Sequence, residues 1–219
     1  MKKLLFILLF WGVHAASSQK KTPSNARFGA IQWTFRTAGK IFSSPVLYRD
    51  LVVIGSEDKN LYAVHAASGK MAWKFASGGA VHSSAVISED IVFLGSYDGN
   101  FYAVDAGSGR LKWKFRTKGE KKAGAMGLWT MKPVTEYMDD PFDFFLSSGS
   151  VNPQDGVVYF GSGDGNVYAL DVKDGGLKWK FVTGGLVHAS PVLDHGTLYF
   201  GRRTNFDYVA DSQILPKHG

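Results

Sequence analysis

Two histidines at matching positions and one pair of acidic residues are the side chains of this sequence with the clearest chemical potential. His82 and His188 each follow a valine at the start of a predicted innermost strand, so they could face a shared channel and bind a metal or an anion. A structural role, in which each histidine packs near a loop, is the simpler explanation. Two repeat units separate the histidines, so they cannot be assumed to bind one ligand together. Asp139 and Asp140 lack the alternating oxygen ligands of a calcium loop. We therefore assign no catalytic residue, no cofactor-binding residue and no metal ligand.

The serines, the cysteine content and the charge exclude further classes of chemistry. Serine recurs in Ser-Ser-Pro and Ser-Ser-Ala at residues 43–45 and 83–85, without the turn that exposes a nucleophilic serine. The sequence contains no cysteine, which excludes disulfide scaffolds, redox motifs, cysteine nucleophiles and cysteine-based zinc sites. The formal net charge is +6, but basic residues alternate with aromatic ones, as in Lys112–Phe115. A nucleic-acid surface would be more clustered, so nucleic-acid binding is not expected.

The elements that must position these residues are short β-strands. Of the 219 residues 45% are hydrophobic, 14% are aromatic and 26 residues are glycine, a composition typical of aromatic-rich strands joined by tight turns. The Asp-Gly pairs at 98–99 and 164–165 predict two-residue hairpins, because the central residues of that turn need positive φ angles. The sequence shows almost no helical periodicity. These features together predict an all-β fold.

The predicted strands are organised in a repeat of about 40 residues. The repeat is marked by four tryptophans separated by 40, 40 and 66 residues, which are Trp33, Trp73, Trp113 and Trp179. Each unit contains four strand signals separated by turns, which is typical of a β-propeller blade. The sequence therefore predicts a β-propeller with about 4–5 blades in an incomplete ring.

The same repeat predicts the position of each blade. A lone outer strand is expected at Ile31–Arg36, followed by three full blades and the first two strands of a fourth. The predicted ranges of these blades are 41–76, 80–116, 146–182 and 187–201. After Gly201 the pattern breaks, although a distorted third strand would fit there. Three explanations of this break are possible: a truncated or frameshifted reading frame, an open arc that another chain completes, or a small closed ring. The abrupt loss of the repeat pattern favours a truncated or frameshifted reading frame.

A short motif recurs in three of the units. It begins with Tyr-Ala, ends in glycine and precedes a tryptophan, with copies at 62–69, 102–109 and 168–175. This motif resembles the pyrrolo-quinoline quinone (PQQ) repeat, which is found in quinoprotein dehydrogenases and in BamB-like outer-membrane assembly scaffolds, and the resemblance extends over residues 31–201. It implies that the alanine and the tryptophan ten residues later attach each blade to its neighbour, while the glycine closes the hairpin. The residues to which this blade-docking role is assigned are Ala63, Gly69, Trp73, Ala103, Gly109, Trp113, Ala169, Gly175 and Trp179.

An insertion between the second and third full blades accounts for the longer interval between tryptophans. It covers about residues 120–145 and is rich in aromatic, methionine and acidic side chains. Long loops in compact domains are often functional, so the insertion is either a lid or partner-docking loop, or a plug that packs its own aromatic residues. The candidate interaction residues of this loop are Trp129, Tyr137, Asp139, Asp140 and Phe142.

The N-terminus has the features of a secretory signal peptide in their usual order. Lys2 and Lys3 precede a short apolar run, so we expect a signal peptide at 1–15 and a linker at 16–30. The repeats at 31–201 and a degenerate tail at 202–219 complete the predicted organisation. No apolar run is long enough to span a membrane, and there is no cysteine to carry a lipid. A periplasmic or secreted location is predicted.

These features favour a non-catalytic propeller that acts as a scaffold for protein partners and that is a truncated member of a larger PQQ-repeat protein. The first alternative is a fragment of a PQQ-dependent alcohol or sugar dehydrogenase, which would use PQQ with calcium. The missing cysteines argue against it, because the resemblance implies a vicinal cysteine pair near PQQ in many of those enzymes. The second alternative is a module that binds polysaccharide or another surface. No cofactor is expected, and open propeller edges could allow self-association.

Overall fold

The computed structural model describes residues 29, 31–122, 124–126, 135–139, 146–203 and 208–214. The chain divides into two compact units, Met1–Gln32 and Trp33–Gly219. In the first unit the described residues, 29, 31 and 32, are exposed and form no helix or strand. The strands of the described residues therefore all belong to the second unit.

The second unit is built from antiparallel sheets in which neighbouring strands follow chain order. Blade 1 contains β1 (Val46–Tyr48), β2 (Leu51–Gly55), β3 (Asn60–His65) and β4 (Met71–Ala76). Blade 2 contains β5 (Val86–Ser88), β6 (Ile91–Ser96), β7 (Asn100–Asp105) and β8 (Leu111–Arg116). A hairpin of β9 (Gly124–Met126) and β10 (Tyr137–Asp139) follows. Blade 3 contains β11 (Ser150–Asn152), β12 (Val157–Ser162), β13 (Asn166–Asp171) and β14 (Leu177–Val182). Blade 4 contains β15 (Val192–Asp194), β16 (Thr197–Arg203) and β17 (Tyr208–Ile214).

This architecture confirms the predicted all-β propeller with an incomplete ring. Three sheets have four strands, and blade 4 has three among the described residues. Gly99 and Gly165 have φ angles of +78° and +87°, as expected of glycine in the predicted Asp-Gly turns. No helix occurs among the described residues, and so none there is long and apolar enough to cross a membrane.

The core consists of three apolar clusters, and each lies between two successive blades. The second and third strands of the blades supply most of the buried side chains, because a strand covered on both faces can bury consecutive apolar residues. Phe101 of blade 2 and Phe160 of blade 3 stack with ring centroids 3.9 Å apart. Each fully buried side chain of this size contributes roughly 1.5–3 kcal/mol. The blades are therefore joined by hydrophobic contacts across the sheet faces.

The structure differs from the predicted elements at three places. The sequence pattern predicts the first strand of blade 2 at Val81–Ile87, but β5 begins at Val86 and residues 81–85 are not in a strand. Residues 31–36, predicted as an outer strand, are not in a sheet. The insertion contains the hairpin β9–β10, although it was predicted as a loop. In the predicted degenerate tail, where a distorted third strand would fit, β17 pairs with β16 over seven residues.

Candidate functional site

The tryptophan of one blade packs against the turn glycine of the next blade. Trp73 lies opposite Ala63 on the neighbouring strand of its own blade, and this small side chain leaves room for the indole. The Trp73 ring crosses to blade 2, where its Nε1 donates a hydrogen bond of 3.1 Å to Ala106 O. A methyl group added to Gly109 would lie 2.5 Å from Trp73 Cε3. Gly109 therefore leaves the space that the ring occupies.

The same arrangement recurs along the chain. Ala103 lies opposite Trp113, and Ala169 lies opposite Trp179. The indole hydrogen bonds that join successive units are Trp33 Nε1 to Ala66 O at 2.7 Å and Trp113 Nε1 to Val172 O at 3.0 Å. The glycines against these two rings are Gly69 and Gly175. Sequence reasoning gave the glycines a turn role, and their φ angles of +67° to +74° fit that role, but it missed their contact with the tryptophan of the preceding blade.

A second set of contacts between blades comes from the Ser-Ser motifs. The first serines of the motifs at 43–45 and 83–85 are buried, and each bonds within its own blade. Ser83 Oγ donates to Gly95 O at 3.0 Å and accepts from Gly95 N at 2.9 Å, and Ser43 does the same with Gly55. These bonds replace strand pairing at that position. They explain why the first strand of the blade begins after the serines.

The second serines of these motifs, together with Ser148 and Ser190 at the equivalent positions of blades 3 and 4, form what we call the serine ladder. The backbone N–H of one serine donates to the hydroxyl of the equivalent serine in the following blade. The three bonds are Ser44 N to Ser84 Oγ at 2.8 Å, Ser84 N to Ser148 Oγ at 2.9 Å and Ser148 N to Ser190 Oγ at 3.0 Å. The serine ladder therefore runs through all four blades, and its hydroxyls serve structure.

Three residues of the serine ladder, Ser84, Ser148 and Ser190, line a cavity of about 270 Å³, which we call the channel mouth. The other side chains lining it occupy one equivalent position in each blade and are Phe42, His82, Leu146 and His188. The structure thus brings the two predicted histidines to one cavity. The His82 ring contacts the rings of Phe42 and Tyr97, at centroid distances of 4.7 and 5.0 Å. His188 Nε2 lies 3.1 Å from Lys121 O.

A carboxylate beside the channel mouth fixes the start of the insertion. Glu120 accepts hydrogen bonds from Ser162 Oγ at 2.8 Å and from Gly163 N at 2.6 Å. Burial raises the pKa of this carboxyl above its ordinary value, although the two hydrogen bonds oppose the increase. Within the described residues, no group of three histidine, aspartate or glutamate side chains could hold a metal ion. Glu120 therefore has a structural explanation in its contacts with blade 3.

Aspartates at the turns between second and third strands form a third contact between successive units. Asp98 Oδ2 accepts from Gly78 N, in the connection from blade 1, at 2.7 Å and from Tyr102 OH at 2.5 Å. Burial opposes ionisation of Asp98, but the hydrogen bonds from Tyr102, Asn100 and Gly78 together lower its pKa. Burial, together with the bond to Asp98, raises the pKa of Tyr102 to about 12. Equivalent bonds join Ala38 N to Asp58 and Lys118 N to Asp164.

We expect Asp98→Asn to lower the free energy of unfolding by about 1–3 kcal/mol at pH 7, because hydrogen bonds to a charged acceptor are lost. The folded-state pKa of Asp98 lies below its unfolded value, so its contribution is present above an ordinary aspartate pKa of about 3.9 and is lost as the pH falls through the folded value. The difference between wild type and variant should therefore shrink below about pH 4. Urea unfolding at pH 7, 5, 4 and 3 measures it.

The matched control for this prediction is Asp174→Asn. Asp174 is an exposed turn aspartate that accepts a backbone hydrogen bond from Gly176 within its own blade. We expect a loss of less than about 1 kcal/mol at pH 7 for this control. Equal losses at Asp98 and Asp174, with the same pH dependence, would contradict the role given to the Asp98 contact.

The predicted interaction loop is only partly described. Tyr137 and Asp139 lie in β10, where they pair with Met126 and Gly124 of β9. Asp139 is exposed. The other predicted residues of the loop, Trp129, Asp140 and Phe142, lie outside the described residues.

Comparison with known sequences identifies the family. The sequence profile of the family described as outer membrane protein assembly factor BamB matches residues 23–137 and 126–213. These matches cover well over half of the chain and agree with the predicted resemblance to PQQ repeats. No curated protein matches the chain significantly.

Comparison with solved structures supports the propeller fold. BamB from Moraxella catarrhalis superposes with a TM-score of 0.61 at 18% identity, over 81% of this chain and 51% of that chain. The computationally designed Ika4 protein gives a TM-score of 0.61 at 14% identity, over 83% of this chain and 94% of that one. Quinohemoprotein alcohol dehydrogenase from Comamonas testosteroni gives a TM-score of 0.57 at 16% identity, over 75% of this chain and 29% of that chain.

These structures establish the fold, and the sequence profile establishes the family. The match spans about half the length of the BamB structure and under a third of the dehydrogenase. The repeated tryptophan and glycine contacts account for the residues that make the resemblance visible in sequence. This chain therefore belongs to the family of outer membrane protein assembly factor BamB, whose PQQ-like repeats form its propeller blades.

Proposed function

We propose that this chain is a non-catalytic scaffold that binds extended protein segments during outer-membrane protein assembly, in the periplasm. The observation that carries the proposal is the row of outer strands at the perimeter. β4, β8 and β14 each lie at the edge of a four-stranded sheet. Such an edge offers backbone donors and acceptors to an added strand.

The side chains of these edge strands suit an extended segment with alternating apolar and acidic residues. Each strand begins with an apolar residue whose side chain is about half exposed, and these residues are Met71, Leu111 and Leu177. Each strand also carries an exposed lysine at the position after its tryptophan, and these residues are Lys74, Lys114 and Lys180. An extended partner could pair with the backbone while its side chains contact the apolar and basic positions. The family name supports unfolded outer-membrane proteins as the partners.

The polar side chains near the centre of the propeller favour a structural role over a catalytic one. The serine ladder uses the hydroxyls of Ser84, Ser148 and Ser190 in bonds between blades. Glu120 is bound to blade 3, and Asp98 is bound to Tyr102 and Gly78. Structural contacts thus account for these polar groups, and we propose that the chain needs no cofactor.

We expect an unfolded outer-membrane β-barrel protein, kept soluble by rapid dilution from urea, to bind the purified chain. A triple variant, Met71→Glu, Leu111→Glu and Leu177→Glu, should weaken binding by about tenfold or more, equivalent to about 1.4 kcal/mol, because it removes apolar contact from three edges. Biolayer interferometry against the immobilised chain measures the affinity. The matched control is Ile41→Glu, since Ile41 has a similar exposure of 43% but lies outside these strands.

Two other results would contradict the scaffold proposal. A change in PQQ absorbance and a higher melting temperature on addition of PQQ and calcium would favour the quinoprotein alternative. Binding to polysaccharide, with no binding to the unfolded protein, would favour a surface-binding module. Equal affinities of the triple variant and the Ile41→Glu control would exclude the edge strands as the binding surface.

A further inference from the structure

Blade 4 exposes an apolar face that is covered in the other blades. Tyr199 lies two residues before the glycine of the second strand, as do Val53, Phe93 and Tyr159 in blades 1 to 3. Tyr199 is 47% exposed, whereas the other three residues are at most 1% exposed. Its cross-strand neighbour Val192 is also exposed, at 61%. The face that receives the next blade elsewhere is therefore open in blade 4.

The segment before blade 1 has features that complement the open face of blade 4. Trp33 and Phe35 make the contacts of an outer strand with blade 1: Trp33 Nε1 donates to Ala66 O, and the rings of Phe35 and Tyr62 are 5.3 Å apart. Phe75 and Tyr102 make the same contact between blades 1 and 2, at 5.2 Å. Yet residues 33–36 are not in a sheet. This segment has the contacts of an outer strand, but no inner strand accompanies it within the part of the chain that the structure describes.

The register of blade 4 fits this segment. In blade 1, Gly55 pairs with Leu61, and the next residues along β3, Tyr62 and Ala63, pair with Lys74 and Trp73 of β4. In blade 4, Gly201 pairs with Ala210, so the next positions along β17 are Asp211 and Ser212. Ser212 thus takes the register position of Ala63, which pairs with Trp73 in blade 1. Trp33 would lie opposite Ser212, and Thr34 opposite Asp211.

We propose that a second copy of this chain adds its residues 33–36 to β17 as the fourth strand of blade 4, and covers that blade with its own blade 1. The covering face is apolar and partly open: Leu47 is 68% exposed, and Val52 and Ile54 are only half-buried, whereas the equivalents of Val52 and Ile54 in blades 2 to 4 are buried. The new contact repeats the packing that already joins successive blades. It is a head-to-tail contact between unlike surfaces.

The serine ladder continues across the same contact. It begins at Ser44, whose N–H donates to Ser84, and it reaches Ser190, whose hydroxyl accepts from Ser148. The Ser190 N–H and the Ser44 hydroxyl are the two groups that a further step of the serine ladder would use. Both residues are exposed. A second copy placed as proposed would bring the Ser44 hydroxyl of one chain to the Ser190 N–H of the other.

Cysteine cross-linking tests this placement directly, because the chain has no cysteine of its own. The single variants Thr34→Cys and Asp211→Cys are purified separately, mixed and oxidised mildly. We expect a disulfide-linked pair that contains one chain of each variant, identified by mass spectrometry of the linked peptides. The matched control is Lys74→Cys mixed with Asp211→Cys, because Lys74 occupies the position of Thr34 one blade further on but pairs within its own sheet. That mixture should cross-link at least tenfold less.

The oligomeric state gives a second measurement that does not depend on the disulfide. We expect light scattering after gel filtration to give at least twice the mass of one chain, and Tyr199→Glu to shift the protein to a single-chain mass while its circular dichroism is unchanged. Three results would overturn the proposal. The first is a single-chain mass for the unmodified protein at 50 µM, and the second is equal cross-linking in the control mixture. The third is an intrachain disulfide, with a single-chain mass, in a variant that carries both Thr34→Cys and Asp211→Cys.

Discussion

Gly109→Ala should lower the free energy of unfolding by about 3 kcal/mol, which is a large effect for the addition of one methyl group. The φ angle of Gly109 is +69°, a conformation that costs an L-residue about 1–2 kcal/mol. The added carbon would also lie 2.5 Å from Trp73 Cε3 and 2.8 Å from Cδ2. The indole is buried and hydrogen-bonded to Ala106 O, so relief requires the blades to shift. Overpacking of this kind costs roughly 1–3 kcal/mol.

Gly196→Ala is the matched control, because it separates backbone strain from the clash. Gly196 has a φ angle of +77°, yet a methyl group there would meet nothing within 4 Å. We therefore expect a loss of about 1–2 kcal/mol from backbone strain alone. Denaturant unfolding followed by circular dichroism measures both variants against wild type. Losses of equal size would mean that the Trp73 ring does not limit the space at Gly109.

The tryptophan repeat makes most of this fold predictable from sequence. Trp73, Trp113 and Trp179 each mark an outer strand, and the Asp-Gly pairs at 98–99 and 164–165 each mark a turn, so their spacing locates the blades that carry them. The prediction works because a blade is a local unit, in which neighbouring strands are also neighbours in sequence. A β-meander therefore needs few long-range contacts to be recognised.

Contacts between blades are harder to predict from the same residues. Gly109 precedes Trp113 by only four residues, so the sequence links these two, yet the ring against Gly109 is that of Trp73 in the preceding blade. The Ser-Ser motifs are visible in sequence, but the sequence does not show which backbone group each serine hydroxyl will hydrogen-bond. His82 and His188 are an exception, because their matching positions after a valine predicted a shared channel and the structure places both at the channel mouth.

The ends of the repeat were the least predictable part. Residues 33–36 keep the tryptophan and the phenylalanine of an outer strand, but strand formation also requires a partner edge, which no local pattern reports. β17 forms although its sequence has lost the repeat motif. Leu198 and Phe200 are buried and hold β16 in the core, so the edge of β16 is available for backbone hydrogen bonds with β17. Sequence patterns thus identify side-chain roles more readily than edge pairing.

Trp73→Ala should lower the free energy of unfolding by about 3–5 kcal/mol, because it removes a buried aromatic ring and leaves a cavity between blades 1 and 2. Trp73→Phe keeps most of the apolar contact but loses the hydrogen bond to Ala106 O, and it should cost about 1–2 kcal/mol. Unfolding by denaturant measures both variants. A loss below about 1 kcal/mol for Trp73→Ala would contradict a docking role for the ring.

Combining Trp73→Ala with Gly109→Ala tests the contact itself. If the cost of Gly109→Ala beyond backbone strain arises from the indole, that part disappears once the indole is removed. Gly109→Ala should then cost about 1–2 kcal/mol in the Trp73→Ala background, similar to Gly196→Ala, and the double variant should be more stable than the sum of the single losses predicts by about 1–2 kcal/mol. If the losses of the two single variants add up in the double variant, the Trp73 ring is not the source of the clash at Gly109. Because Trp33 with Gly69 and Trp113 with Gly175 have the same geometry, the coupling should recur at those two contacts.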